Sequence, residues 1–176
     1  IAAVGVLGRI GSAAAVPALL KSAVSESGDE RKAAESALAR IGGAGAAEAI
    51  ERAVGSGDAP ARVAAMSALA SRGQSSAMPS LLKAAADADR NVSRGAFGAL
   101  RQMAGEPEIE ALAKLALEQR SGEAVGALKA AGSRAKDPAP VSRRLMALAQ
   151  AADTAGRVVL LDAMSATGGA EALQTA

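Results

Sequence analysis

Ala37-Leu38-Ala39-Arg40-Ile41-Gly42 closes one helical pattern, and Gly42 releases the chain into the next. The pattern returns further on as Ala68-Leu69-Ala70-Ser71-Arg72-Gly73, and it stands at the same distance upstream as Val6-Leu7-Gly8-Arg9-Ile10-Gly11. One further step gives Ala99-Leu100 and Met103, with Gly105 one place late. The period is about 31 residues, and self-similarity at a fixed period of this size is the mark of a stacked array. Each repeat in such an array is one small motif that buries its apolar face only against its neighbours. The period therefore predicts an all-α superhelix, a solenoid of about five to six helical hairpins. The repeats fall at about residues 1–28, 29–57, 58–88, 89–120, 121–152 and 153–176.

Composition agrees with that class. Half of the 176 residues are apolar, and the single aromatic residue is Phe97. Alanine, leucine and valine supply most of the apolar mass. Alanine is the strongest helix former, and little else in the chain favours strands. There is no cysteine and no histidine. Disulfides, zinc sites with Cys or His ligands, and thiol or imidazole catalysis are therefore excluded. No catalytic, cofactor-binding or metal-ligating residue is assigned. Net charge is +2, and each half of the chain carries one more basic than acidic side chain. So even a balance gives little reason to expect nucleic acid. No run of 18 apolar residues is present, so no membrane span is expected. The chain begins at Ile1, and its compartment stays open.

Residues 1–10 read as the end of a first helix, and Ser12 to Val24 as its partner, with Val16, Leu19, Leu20 and Ala23 on one face. Asp29 is the candidate N-cap of the next helix, which carries Ala34, Ala37, Leu38 and Ile41. After Gly42-Gly43 a helix carries Ala47, Ile50 and Val54. Asp58 and Pro60 open the third repeat, and Met78-Pro79-Ser80-Leu81-Leu82 echoes Val16-Pro17-Ala18-Leu19-Leu20. Asp89 opens the fourth, whose helices bury Val92, Ala96, Ala99 and Leu100, then Ile109, Leu112, Ala113 and Ala116. In the fifth, Ala127-Leu128 follows Ala99-Leu100 by less than a full period, so the link near Arg120 to Glu123 is tight. Ser133 to Pro140 reads as an extended connector before a helix with Val141, Leu145 and Leu148 inward. Asp153 starts the sixth, with Val159, Leu160, Ala163 and Met164 inward and Gly168-Gly169 as the next turn. The chain starts inside one helix and ends inside another. Neither end carries the polar outer face of a terminal repeat. A segment of a longer protein, or end-to-end association, is expected.

The repeat resembles a HEAT-like repeat of the short bacterial kind also seen in phycobilin lyase subunits. That pattern runs Asp, Val-Arg, an Ala-Ala pair, Ala-Leu and Gly along the first helix. Asp58, Arg62, Ala64-Ala65, Ala68-Leu69 and Gly73 match it, and Asp153, Arg157, Ala163-Met164 and Gly168 match less fully. Arg31 holds the arginine place in the second repeat, and Ser93 stands there in the fourth. Ala15 to Leu20 spell the second-helix motif Ala-Val-Pro-Ala-Leu-Leu. The resemblance covers essentially the whole chain and is specific for fold, but it carries almost no information about function. The recurring Asp residues read as caps, and the recurring Arg residues as bridges to a neighbouring repeat.

One periodic pattern faces away from the core. Lys21, Arg52, Lys83 and Lys114 recur once per period, each just after the inward pair of its second helix, and Arg143 and Arg144 fall near that place in the fifth repeat. This basic ladder is the candidate partner-binding surface, suited to an acidic peptide or a phosphate backbone. A solvated helix face is the plainer reading of the same residues. Lys129, Arg134, Lys136, Arg143 and Arg144 also form a basic stretch around the irregular connector. The acidic run Glu106-Pro107-Glu108-Ile109-Glu110 fits a helix N-terminus better than paired catalytic carboxylates. Gly42-Gly43-Ala44-Gly45 lacks the ending of a phosphate loop. Phe97 and the methionines Met66, Met103, Met146 and Met164 are read as core. The expected function is a protein-interaction scaffold, with a protein partner or a neighbouring domain of its parent chain on the inner face. A lyase-type accessory subunit, a nucleic-acid-binding relative and a structural spacer are the alternatives.

Overall fold

The computed structural model describes residues 12–166. The described residues are helical, with no strand. The α-helices are α1 (Val16–Ala23), α2 (Gly28–Arg40), α3 (Ala46–Val54), α4 (Ala59–Arg72) and α5 (Met78–Ala85). There follow α6 (Arg90–Met103), α7 (Ile109–Gln119), α8 (Gly122–Ser133), α9 (Pro138–Ala151) and α10 (Thr154–Ser165). Single 3-10 turns lead into α1, α5 and α7. Odd-numbered helices are the second helices of the repeats, and even-numbered ones the first. The expected helix over residues 1–10 and the turn at Gly168-Gly169 lie outside the described residues.

The chain forms two compact units, Ile1–Ala99 and Leu100–Ala176, divided within α6. In the first, α2 packs on α4 in one layer, while α1, α3 and α5 make successive contacts in the other. The seam between the layers holds Leu19, Ile50 and Leu81 from odd helices and Leu38 and Leu69 from even ones, all fully buried. The second unit repeats the plan, with α8 on α10 and α7 on α9 around Leu112, Leu128, Leu145 and Leu160. Leu100 is also fully buried. The most closely packed pairs are α1 with α2, α3 with α4, α7 with α8, and α9 with α10. Each joins the second helix of one repeat to the first helix of the next.

The inward stripes follow the sequence with two shifts. Ala46, not Ala47, is buried with Ile50 and Val54, and Ala149 is buried where Leu148 is only half-buried. In both helices the stripe advances by four residues at each step, so the first member in α3 and the third in α9 move one place around the axis. Val159 is likewise half-buried.

Caps decide the helix starts. The Asp58 carboxylate accepts from the Ala61 amide at 2.9 Å, and the Asp153 carboxylate from Gly156 at 2.8 Å. Asp89 accepts from Asn91 at 2.8 Å and from Val92 at 3.4 Å. In the second repeat the cap is Ser27, whose hydroxyl accepts from Glu30, and Asp29 lies inside the first turn. Ser27, Asp58 and Asp89 stand one period apart in turn, and Asp29 is out of step with them. The expected connector from Ser133 to Pro140 is shorter in the structure. Helix α8 runs to Ser133, and α9 begins at Pro138 under an Asp137 cap that accepts from Ala139. Proline at the first helical position lacks an amide that no partner needs, so it starts this helix instead of delaying it. The tight link before α8 is two residues long. Arg120 takes the left-handed conformation at φ 49°, and Ser121 caps α8.

Candidate functional site

The recurring arginines bind the scaffold to itself. Arg62 Nε donates to the Val54 carbonyl at 2.8 Å, and a second guanidinium nitrogen pairs with Asp87 at 2.6 Å. Arg157 Nε donates to the Ala149 carbonyl at 3.3 Å, eight residues back, as Val54 is from Arg62. Ser93 holds the same place in its repeat and donates to Ala85 at 2.8 Å, again eight residues back. Arg31 reaches the Ser25 carbonyl at 3.4 Å. These side chains answer the unpaired carbonyls at the end of the preceding helix. Arg62 beside Asp87, helped by the Asp89 amide, holds the Asp87 carboxyl below its usual range.

A second set of arginines does the same work across a full repeat. Arg72, at the end of α4, donates to Ile41 at 2.7 Å, just past the end of α2, and to Leu38 at 3.2 Å in its last turn. Arg134 donates to Arg101 at 2.6 Å, in the last turn of α6, and to Ala104 at 3.0 Å, just past its end. Arg72 and Arg134 stand two periods apart. The basic stretch of the fifth repeat is therefore partly structural, since Lys129 also pairs with Asp162 at 2.8 Å. The acidic run resolves the same way. Glu108 accepts from the Gly105 amide at 2.8 Å, and Glu110 pairs with Lys114 at 3.0 Å. Phe97 is buried, as are Met66 and Met164, while Met103 and Met146 are half-buried.

The ladder divides between the two compact units. Lys21, Arg52 and Lys83 lie in the first, each exposed and each in the last turn of its helix. Among the described residues their charged groups take part in no hydrogen bond or ion pair within the chain. A groove of about 490 Å³ between α1 and α3 has Lys21 and Arg52 on its rim. Pro17, Val24, Ala49 and Ala53 contribute apolar lining. Its one carboxylate, Asp58, already serves as a cap. A second groove, of about 810 Å³ between α3 and α5, is shared by Arg52 and Lys83. It carries as many carboxylates (Glu48, Glu51 and Asp87) as cations (Arg52, Arg62 and Lys83). Of these, Asp87 is held by Arg62, and Glu51 accepts from the Ser80 hydroxyl at 2.8 Å. In the second compact unit Lys114 is engaged by Glu110, and Arg143 and Arg144 are exposed on α9. The described residues contain no cluster of acidic, Cys or His side chains able to hold a metal, and no helix long and apolar enough to cross a membrane.

The two-layer packing of short helices agrees with a comparison of families, in which residues 46–131 match the model of HEAT repeats. Over that span the chain is built from HEAT repeats. The crystal structure of an engineered protein is similar over 94% of this chain and 88% of its own, with 21% identity and a TM-score of 0.51. That likeness concerns the fold alone. No curated protein matches the chain. HEAT-like repeats commonly mediate contacts between proteins, and in this chain their first-helix arginines are spent on internal carbonyls. The recurring cations Lys21, Arg52 and Lys83, on the second helices, have no such use among the described residues.

Proposed function

We propose that this chain is a non-catalytic protein-interaction scaffold that holds a partner polypeptide on the face made by α1, α3 and α5. The observation that carries the reading is the free state of Lys21, Arg52 and Lys83 at one repeating position, while the recurring arginines of the other layer are consumed by the fold. Cations at a helix C-terminus are favoured by its dipole, and that alone accounts for single residues. It does not account for two adjoining grooves that share Arg52. The even balance of charge in the α3–α5 groove disfavours a phosphate backbone, which needs a continuous basic track. In the second compact unit Lys114, Arg143 and Arg144 are the candidate partner-binding residues.

Panning a random peptide library on the whole chain, with a Lys21→Glu/Arg52→Glu/Lys83→Glu variant as counter-target, tests this. Peptides enriched on the natural chain and lost on the variant are the expected result. Peptides indifferent to the three changes, or no enrichment at all, would remove the face from consideration.

A further inference from the structure

The pitch of the ladder selects the kind of segment that fits it. The inference rests on the scaffold reading and goes further, to the conformation and spacing of the bound chain. Lys21, Arg52 and Lys83 occupy one position of the repeat on α1, α3 and α5. These helices pack on one another in sequence. Directly packed helices lie about 8–10 Å apart, so successive rungs are separated by about that distance. A polyproline-II chain has three residues per turn and climbs about 3.1 Å per residue, so every third side chain returns to one face after about 9.3 Å. A β-strand covers the same distance in three residues but turns alternate side chains to opposite faces. An α-helix needs six or seven residues for the step, and its diameter of about 10–12 Å keeps it off the floor of a groove between adjacent helices.

Chemistry narrows the occupant. The α1–α3 groove sets an apolar lining of Pro17, Val24, Ala49 and Ala53 beside two unpaired cations, with its single carboxylate committed to a cap. We infer that the α1–α3–α5 face binds a partner segment in the polyproline-II conformation, with an acidic side chain at every third position and apolar residues between. The acidic side chains meet Lys21, Arg52 and Lys83, and an apolar neighbour enters the α1–α3 groove. Proline in such a segment lowers the ordering cost of binding, because the bound conformation is already populated when free.

The test is fluorescence anisotropy with the full 176-residue chain and three probes. The first is a fluorescein-labelled peptide of three Leu-Pro-Glu triplets. The second has the same composition with its glutamates contiguous. The third is a single-stranded DNA of twelve nucleotides. The triplet peptide is expected to bind more tightly than the other two. Lys21→Gln and Arg52→Gln are each expected to weaken it about two- to fivefold, the range for an exposed ion pair, with the helical circular dichroism unchanged. Equal binding of both peptides overturns the every-third spacing but leaves the face as a peptide site. Tighter binding of the DNA replaces the occupant with a nucleic acid. No binding of the triplet peptide overturns the inference, while library panning still decides the broader reading.

Discussion

Two kinds of glycine sit inside these helices. At Gly98 in α6 and Gly126 in α8 an added Cβ meets nothing within 4 Å. Each therefore carries the entropy cost of glycine in a helix with no packing in return. Gly98→Ala and Gly126→Ala should each raise stability by about 0.5–1 kcal/mol, read from urea denaturation. Gly156 is the opposite case. It is buried, and a Cβ there would stand 2.8 Å from Leu117 Cδ2 and 2.9 Å from the capping oxygen of Asp153. Gly156→Ala should cost about 1–3 kcal/mol, as overpacking does, and outweigh any gain in helix propensity. If Gly156→Ala proved as stabilising as the other two, close packing of α10 against α7 would be refuted.

Helices in this chain are tied end to end by arginines, and these ties make a prediction for whole elements. Arg72 donates from a single guanidinium nitrogen, Nη1, to the Leu38 and Ile41 carbonyls while its Nε stays buried without a partner. Arg72→Met should destabilise the chain by about 1–3 kcal/mol by leaving those carbonyls unanswered. Arg72→Lys should recover only part of the loss, because an ammonium is more strongly hydrated than a guanidinium and gives up more on burial. Hydrogen exchange should quicken first in the last turn of α2, ahead of α5, which Arg72 does not touch. Uniform quickening across both helices would mean that Arg72 contributes only bulk packing. These ties also mark how far the sequence could be read. The leucine seam was legible because burial repeats once per period whatever the neighbours do. Ser27 was hidden by Asp29, a more conspicuous cap two places out of step. The start of α9 was hidden because Pro138 and Pro140 look like a connector until Asp137 is seen to cap them. Arg72 and Arg134 look like surface charge in sequence, since nothing local distinguishes a cation that reaches carbonyls a whole repeat away. The rungs Lys21, Arg52 and Lys83 were legible as a pattern. What the structure adds is that among the described residues they have no partner, while Lys114 has one.

Across the whole molecule, the charges that respond to pH are carboxylates, because the sequence has no histidine or cysteine. Among the described residues, Glu30, Asp87, Glu110 and Asp153 lie below their ordinary range. Hydroxyls of Ser22 and Ser25 lower Glu30, Arg62 and the Asp89 amide lower Asp87, Lys114 lowers Glu110, and the Gly156 amide with Arg120 lowers Asp153. A carboxyl group whose pKa is lower folded than unfolded binds more protons in the unfolded chain as acid is added. Its contribution is complete above the ordinary values, 3.8 for Asp and 4.5 for Glu, and is lost as pH falls through the depressed folded value. Melting temperature should therefore stay level between about pH 8 and pH 5, where no ordinary side chain here titrates, and fall below that. Asp87→Asn with Asp153→Asn should lower the neutral plateau and shallow the acid limb, because asparagine still caps α10 but carries no charge to lose. Glu110 and Asp153 are exposed and Glu30 and Asp87 half-buried, so salt should blunt the same limb. An acid limb of unchanged depth in the double variant would show that the pairs of Asp87 with Arg62 and of Asp153 with Arg120 hold no differential charge energy. The stability that Arg62 and Arg120 supply would then come from other contacts, such as the bond from Arg62 to the Val54 carbonyl.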